Sequence, residues 1–134
     1  VRFSKATEAH LKQAKVLLID NVGMLSSLYR YGQIAYIGGG FGAGIHNTLE
    51  AAVWGMPVVF GPNFEKFNEA KDLLKTGAAF TFRNSAELES AMDNLLHNPE
   101  ILKTSSEKAR DYVKGNAGAT AIIITHLEKT GILK

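Results

Sequence analysis

The sequence has 134 residues, 46% hydrophobic and 21% charged, the size of one ordinary domain that needs no disulfide or metal staple to hold a core. Cysteine is absent, which excludes thiol catalysis, iron–sulfur clusters and cysteine-ligated zinc and makes a reducing compartment the default. The 15 Lys and Arg exceed the 13 Asp and Glu by two, and they are scattered rather than gathered into a basic patch, so nucleic acid is not an expected partner.

Residues 15–20, KVLLID, form a short branched apolar run closed by Asp-Asn, the pattern of a parallel strand buried on both faces. Val22, Leu25, Leu28 and Tyr29 then recur at helical spacing until Gly32, predicting a helix of about ten residues. A second strand is expected over 34–38. After a glycine cluster comes a helix over 46–54 that Gly55 ends. A third strand is expected over 57–61, a helix over 67–74, a fourth strand over 78–82 and a helix over 86–96. The tail over 100–134 reads as two more helices, with the β-branched stretch 122–125 placed in a helix by its Ala-rich start and polar finish.

Short apolar strands alternating with helices over short loops call for an α/β fold, a Rossmann-like parallel sheet with helices on both faces. No repeat or low-complexity segment divides residues 1–134, which read as a single domain. The longest apolar runs fall far short of the ~20 residues that span a bilayer. The opening VRFSKATEAHLK lacks a signal peptide's apolar core and begins on Val, so the sequence reads as a piece of a longer chain.

Ligands of open parallel sheets bind beyond the carboxyl ends of the strands, and two polar clusters fall there: Asp20-Asn21-Val22-Gly23 and residues 38–50. Glycines at 38, 39, 40, 42 and 44 let a backbone approach a ligand closely, and an ensuing helix start offers unpaired N–H groups, together an anion site. Neither common phosphate motif fits. The dinucleotide fold wants an acidic residue about 20 positions on, where Gly61-Pro62 stand, and a Walker loop wants Gly-Lys-Ser/Thr where Gly44-Ile45-His46 stand.

His46, Asn47 and Glu50 share one helix face at offsets of three and four, and a carboxylate there can accept two hydrogen bonds from a ribose diol. Asn47 with Glu50 also has the spacing of a capping box. A third candidate loop, residues 61–69, carries Lys66, the residue most suited to an acidic sugar.

The segments DNVGMLSSLY at 20–29, YIGGGFGAGIHNTLE at 36–50 and GMPVVFGP at 55–62 together resemble the 3-deoxy-D-manno-octulosonic acid (Kdo) transferases of lipopolysaccharide synthesis. The resemblance implies one half of a two-domain GT-B fold, the C-terminal, donor-binding half. The family moves Kdo from CMP-Kdo to a lipid A precursor with inversion and without a metal or other cofactor. Carried over, Gly39, Gly40 and Gly44 with Ile45, His46 and Asn47 would face the phosphate. Glu50 would hold the ribose, and Asn21 and Gly23 would line the cleft. The resemblance assigns the catalytic carboxylate and the membrane-anchoring segment to the other half, so this piece would carry no catalytic residue. The full-length protein is expected at the cytoplasmic face of the bacterial inner membrane and this piece in solution. The sequence departs from the family at Phe41-Gly42, at Gly44-Ile45 and at Met24, where many members carry Glu.

Two other readings stand beside this one. The first is another GT-B transferase or a sugar-nucleotide epimerase using uridine nucleotides. The second is a non-catalytic α/β module that binds a protein partner.

Overall fold

A computed structural model describes residues 1–132; the last two residues of the expected helical tail lie outside the described ones. Three parallel strands, β1 (Ala35–Ile37), β2 (Val58–Phe60) and β3 (Ala79–Thr81), form one sheet in the order β1-β2-β3. Ile37 stands opposite Phe60, and Phe60 opposite Thr81. The strands therefore end level, and the segments after β1 and β2 leave the sheet side by side.

Seven α-helices accompany the sheet among the described residues: α1 (Glu8–Gln13), α2 (Leu25–Leu28), α3 (Leu49–Ala52), α4 (Asn68–Thr76), α5 (Ser85–His97), α6 (Pro99–Gly115) and α7 (Ala119–Lys129). Side-chain alternation along β2 sorts the core into two layers, because successive strand residues point to opposite faces. On one face Val58 and Phe60 pack with Ala51 and Ala52 of α3, Ala70 and Leu73 of α4 and Ala109 of α6. On the other, Val59 packs with Phe82, with Leu95 of α5 and with Ile101 and Leu102 of α6. At 17 residues α6 is about 25 Å long, long enough for its two ends to serve opposite layers. The sheet thus carries helices on both faces, as the alternating pattern predicts.

Most boundaries follow local chemistry. Asn84 Oδ1 accepts the N–H of Glu87 at 3.0 Å and opens α5, while Asn98 accepts the N–H of Ile101 and opens α6 with Pro99 in its first turn, both ordinary N-caps. Gly77, at φ +80°, closes α4 as a left-handed C-terminal residue. The stretch 122–125 is helical, inside α7.

Three expectations need correction. Residues 15–20 are not a buried strand of the sheet. Val16, Leu17 and Leu18 are 73%, 43% and 52% exposed, and the run pairs with residues 1–3 instead. The Leu18 N–H donates to Val1 O and the Phe3 N–H to Leu18 O, both at 2.8 Å, making one isolated parallel bridge. The apolar pattern could not name the partner, and among the described residues only Leu18 of the run is bridged. The ten-residue helix expected after Val22 is a single turn, α2, followed by a 3-10 turn over Tyr29–Tyr31; Val22 is fully exposed, so it contributes nothing to an apolar helix face. Finally, α3 begins at Leu49 rather than at 46 or 47, although Gly55, at φ +72°, does end its final turn as expected.

Candidate functional site

The glycine segment after β1 is a compact turn. The Gly42 N–H donates to Gly39 O at 2.9 Å, and the His46 N–H donates back to Gly38 O at 3.1 Å. Gly39 has φ +89°, and a Cβ there would lie 2.2 Å from Gly44 O, so no L side chain fits. Gly40 is buried against Gly61, whose backbone N and Cα would lie 2.7 Å from an added Cβ. These glycines hold one chain against another. The His46 ring lies along Gly38 and Gly39 and is exposed.

The loop after β2 meets this turn from the side. The Asn63 N–H donates to Gly40 O, and Asn63 Nδ2 donates to Gly42 O, each at 2.9 Å. Between the two loops lies a cleft of about 310 Å³ lined by Gly42, Ala43, Pro62, Asn63, Glu65 and Lys66. It sits at the carboxyl ends of β1 and β2, where the sheet geometry places ligands. A broader depression of about 420 Å³ on α7, lined by Ala121, Ile122, Thr125, His126 and Lys129, is formed by one helix alone and brings no distant residues together.

Of the residues singled out from the sequence, Gly39, Gly40, Gly44, His46 and Lys66 lie on these two loops. Ile45 does not face the cleft, because its side chain is 4% exposed and belongs to the core; only its backbone can serve a ligand. Asn47 and Glu50 are joined directly, Asn47 Nδ2 donating to Glu50 Oε1 at 3.1 Å, while Asn47 Oδ1 accepts the Leu49 N–H at 2.9 Å. A capping box would have sent the Glu50 carboxylate to the backbone N–H of Asn47; the carboxylate takes the side-chain amide instead.

Asn21 and Gly23 belong to a separate exposed turn. Asn21 Nδ2 reaches Met24 Sδ, Gly23 has φ +94° with open space around it, and no hydrogen bond among the described residues ties this turn to the glycine segment.

The neighbouring groups complete the electrostatics. Burial first, then the negative charge of Glu50, pushes the Tyr29 phenol above its ordinary value, which places Tyr29 and Glu50 in one environment. Thr48, at 1% exposure, has its hydroxyl buried without a hydrogen-bond partner among the described residues. With α3 only four residues long, its dipole is small. Sequence reasoning flagged residues 61–69 as a ligand loop but missed Asn63 as its joint. The signal was present in the Gly-Pro-Asn run directly after a buried strand. Among the described residues no cluster of three or more His, Asp or Glu side chains is placed to hold a metal, and no helix is long and apolar enough to cross a membrane.

Parallel strands, helices on both faces and a cleft at the strands' carboxyl edge define a Rossmann-like α/β domain. No family model matches the sequence. It is 41% identical over 105 residues to the 3-deoxy-D-manno-octulosonic acid transferase of Aquifex aeolicus, covering 77% of this chain and 29% of that protein. To the transferase of Rickettsia prowazekii it is 34% identical, covering 74% of this chain and 22% of that protein. To the transferase of Chlamydia pneumoniae it is 30% identical, covering 83% and 26%. The chain therefore spans about a quarter of the length of these curated relatives. Among solved structures it resembles the C-terminal CMP-Kdo binding domain of WaaA from Acinetobacter baumannii, with a TM-score of 0.73 and 25% identity, covering 84% of this chain and 60% of that one. The chain is a homologue of part of the Kdo transferases, which are glycosyltransferases, and it has the fold of that C-terminal domain.

Proposed function

We propose that this chain is the donor-binding part of a Kdo transferase, holding CMP-Kdo for transfer to a lipid A precursor. The observation that carries the reading is the cleft in which the glycine turn and the Lys66 loop meet at the carboxyl edge of β1 and β2. In this reading the glycine turn lets a phosphate approach its backbone without a side chain intervening. The Lys66 ammonium on the opposite wall suits the carboxylate of an acidic sugar.

When the bond between the sugar and the CMP phosphate breaks, negative charge gathers on the departing phosphate, and donors fixed in advance stabilise it without reorganising. This reading uses no metal and no other cofactor. Glu50 holds the ribose diol, with Asn47 orienting the carboxylate through the bond at 3.1 Å. The acceptor hydroxyl and the base that takes its proton are assigned to the rest of the enzyme, at the cytoplasmic face of the bacterial inner membrane. No catalytic residue is assigned to this chain.

The test is calorimetric titration of the purified chain with CMP and UMP. A cleft with part of its wall missing should bind CMP with a Kd on the order of millimolar, about 4 kcal/mol, and ahead of UMP. Tighter binding of UMP would replace the cytidine assignment with a uridine-dependent transferase or epimerase. Binding of neither nucleotide would leave a non-catalytic α/β module.

A further inference from the structure

Asn63 is exposed, yet it makes the two polar ties between the loops that wall the cleft. Its backbone N–H reaches Gly40 O and its Nδ2 reaches Gly42 O, both at 2.9 Å. Apolar contacts close the same seam. The Phe41 ring covers Gly61, whose added Cβ would lie 2.7 Å from Phe41 Cε2, and the Phe67 ring covers Gly44, whose added Cβ would lie 3.0 Å from Phe67 Cε2. The Phe41 ring also packs on Phe82, with centroids 5.4 Å apart.

A turn with this many glycines has high conformational entropy when free, so something outside the turn must select one conformation. Its own hydrogen bonds, Gly42 to Gly39 and His46 to Gly38, fix its ends. Asn63 grips its middle and donates one hydrogen bond to each of two carbonyls. A carbonyl left free at an anion site repels the ligand; one engaged by a donor does so less.

We propose that Asn63 is the positioning residue of the donor cleft, holding the glycine turn in its anion-accepting shape through Gly40 O and Gly42 O. This rests on the nucleotide-sugar reading above. Asn63 acts through the turn, to which one N–H of its Nδ2 is committed at Gly42 O.

The experiment uses Asn63→Asp and Asn63→Ala in the chain as it stands. Asn63→Asp keeps the size and the backbone bond but removes the Nδ2 donor and sets an oxygen against Gly42 O. In both variants the melting temperature should stay within a few degrees, since the residue is exposed. The amides of Gly42 and His46 should exchange with solvent about tenfold faster, the scale of one lost hydrogen bond, while those of Leu73 and Leu95 do not change. CMP binding should weaken by a similar factor. For Asn63→Asp alone, protection should return as the pH falls through the carboxyl range, because the protonated acid again offers an O–H donor. The parent chain, titrated in parallel, sets the contribution of Glu65 and Lys66, the ionisable groups lining the cleft.

Unchanged exchange at Gly42 and His46 in both variants would overturn the proposal, as would faster exchange with unchanged CMP affinity. If the parent chain binds no CMP while its turn responds as described, Asn63 holds the turn and the nucleotide reading is what fails.

Discussion

Asn47 and Glu50 are joined side chain to side chain, Nδ2 to Oε1 at 3.1 Å, and so are Asn84 and Glu87, at 3.0 Å, but only the second pair also caps a helix. In the second pair Asn84 Oδ1 accepts the Glu87 N–H at 3.0 Å, and Glu87 Oε2 accepts the Arg83 N–H at 2.8 Å. One sequence signature thus has two outcomes. Around Asn84 the backbone turns directly into α5; around Asn47 the Oδ1 takes the N–H two residues on, and the helix starts only at Leu49.

Asn84→Ala should therefore cost about 1 kcal/mol of stability, the usual worth of an N-cap. Chemical denaturation of the variant and the parent measures this. An unchanged midpoint would mean that the cap is replaced by solvent.

Glu50→Gln keeps the shape of the side chain but replaces a charged acceptor with a neutral amide. If Glu50 holds a ribose diol, CMP binding should weaken by about 1 to 3 kcal/mol, with the melting temperature within a few degrees of the parent. Paired CMP titrations and thermal melts decide it, and unchanged affinity would return Glu50 to a structural role.

Gly39 and Gly42 offer a contrast within one turn. Gly39→Ala meets both a positive φ of +89° and Gly44 O at 2.2 Å, while an added Cβ at Gly42 has Gly39 O at 3.7 Å as its nearest neighbour. The first substitution should destabilise by about 1 to 3 kcal/mol or rebuild the turn; the second should be nearly neutral. Denaturation midpoints together with the His46 amide resonance report both effects.

Leu73 and Leu95 anchor opposite layers of the core, each fully buried. Leu73→Ala and Leu95→Ala should each cost about 2 to 5 kcal/mol through lost burial and a residual cavity. Because the two sites lie in different layers, their effects should add in the double variant, to within about 0.5 kcal/mol. Denaturation of the two single variants and the double variant tests this.

Asp20 gives a pH dependence of known sign. The Ser4 hydroxyl, at 2.6 Å, and then the Ser4 N–H, at 3.0 Å, hold its carboxyl below the ordinary value of 3.8. A depressed folded-state pKa contributes stability that is fully present above the unfolded value and is lost as the pH falls through the folded one. The Ser4 amide resonance should therefore titrate with a midpoint below 3.8. A midpoint at or above that value would show that the contact is not kept in solution.

The sequence by itself determined the alternation of β1, α3, β2, α4, β3 and α5, because each apolar run is short and each helix carries a local signal: the cap at Asn84, the stop at Gly77, the turn at Gly55. It also located the glycine turn and the neighbouring loop, since buried parallel strands must deliver their following segments to one edge. Tertiary structure alone decided which strand paired with which. Residues 16–18 are as apolar as β2 yet bond to residues 1–3, because a ladder needs a partner in register and periodicity names none. It alone decided that Ile45 turns into the core while His46 stays outside, and that Asn63 reaches Gly40 and Gly42 across 23 and 21 positions of sequence. Side-chain direction and long-range hydrogen bonds depend on how two loops meet, and the level ends of β1 and β2, set by the Ile37–Phe60 register, bring them together.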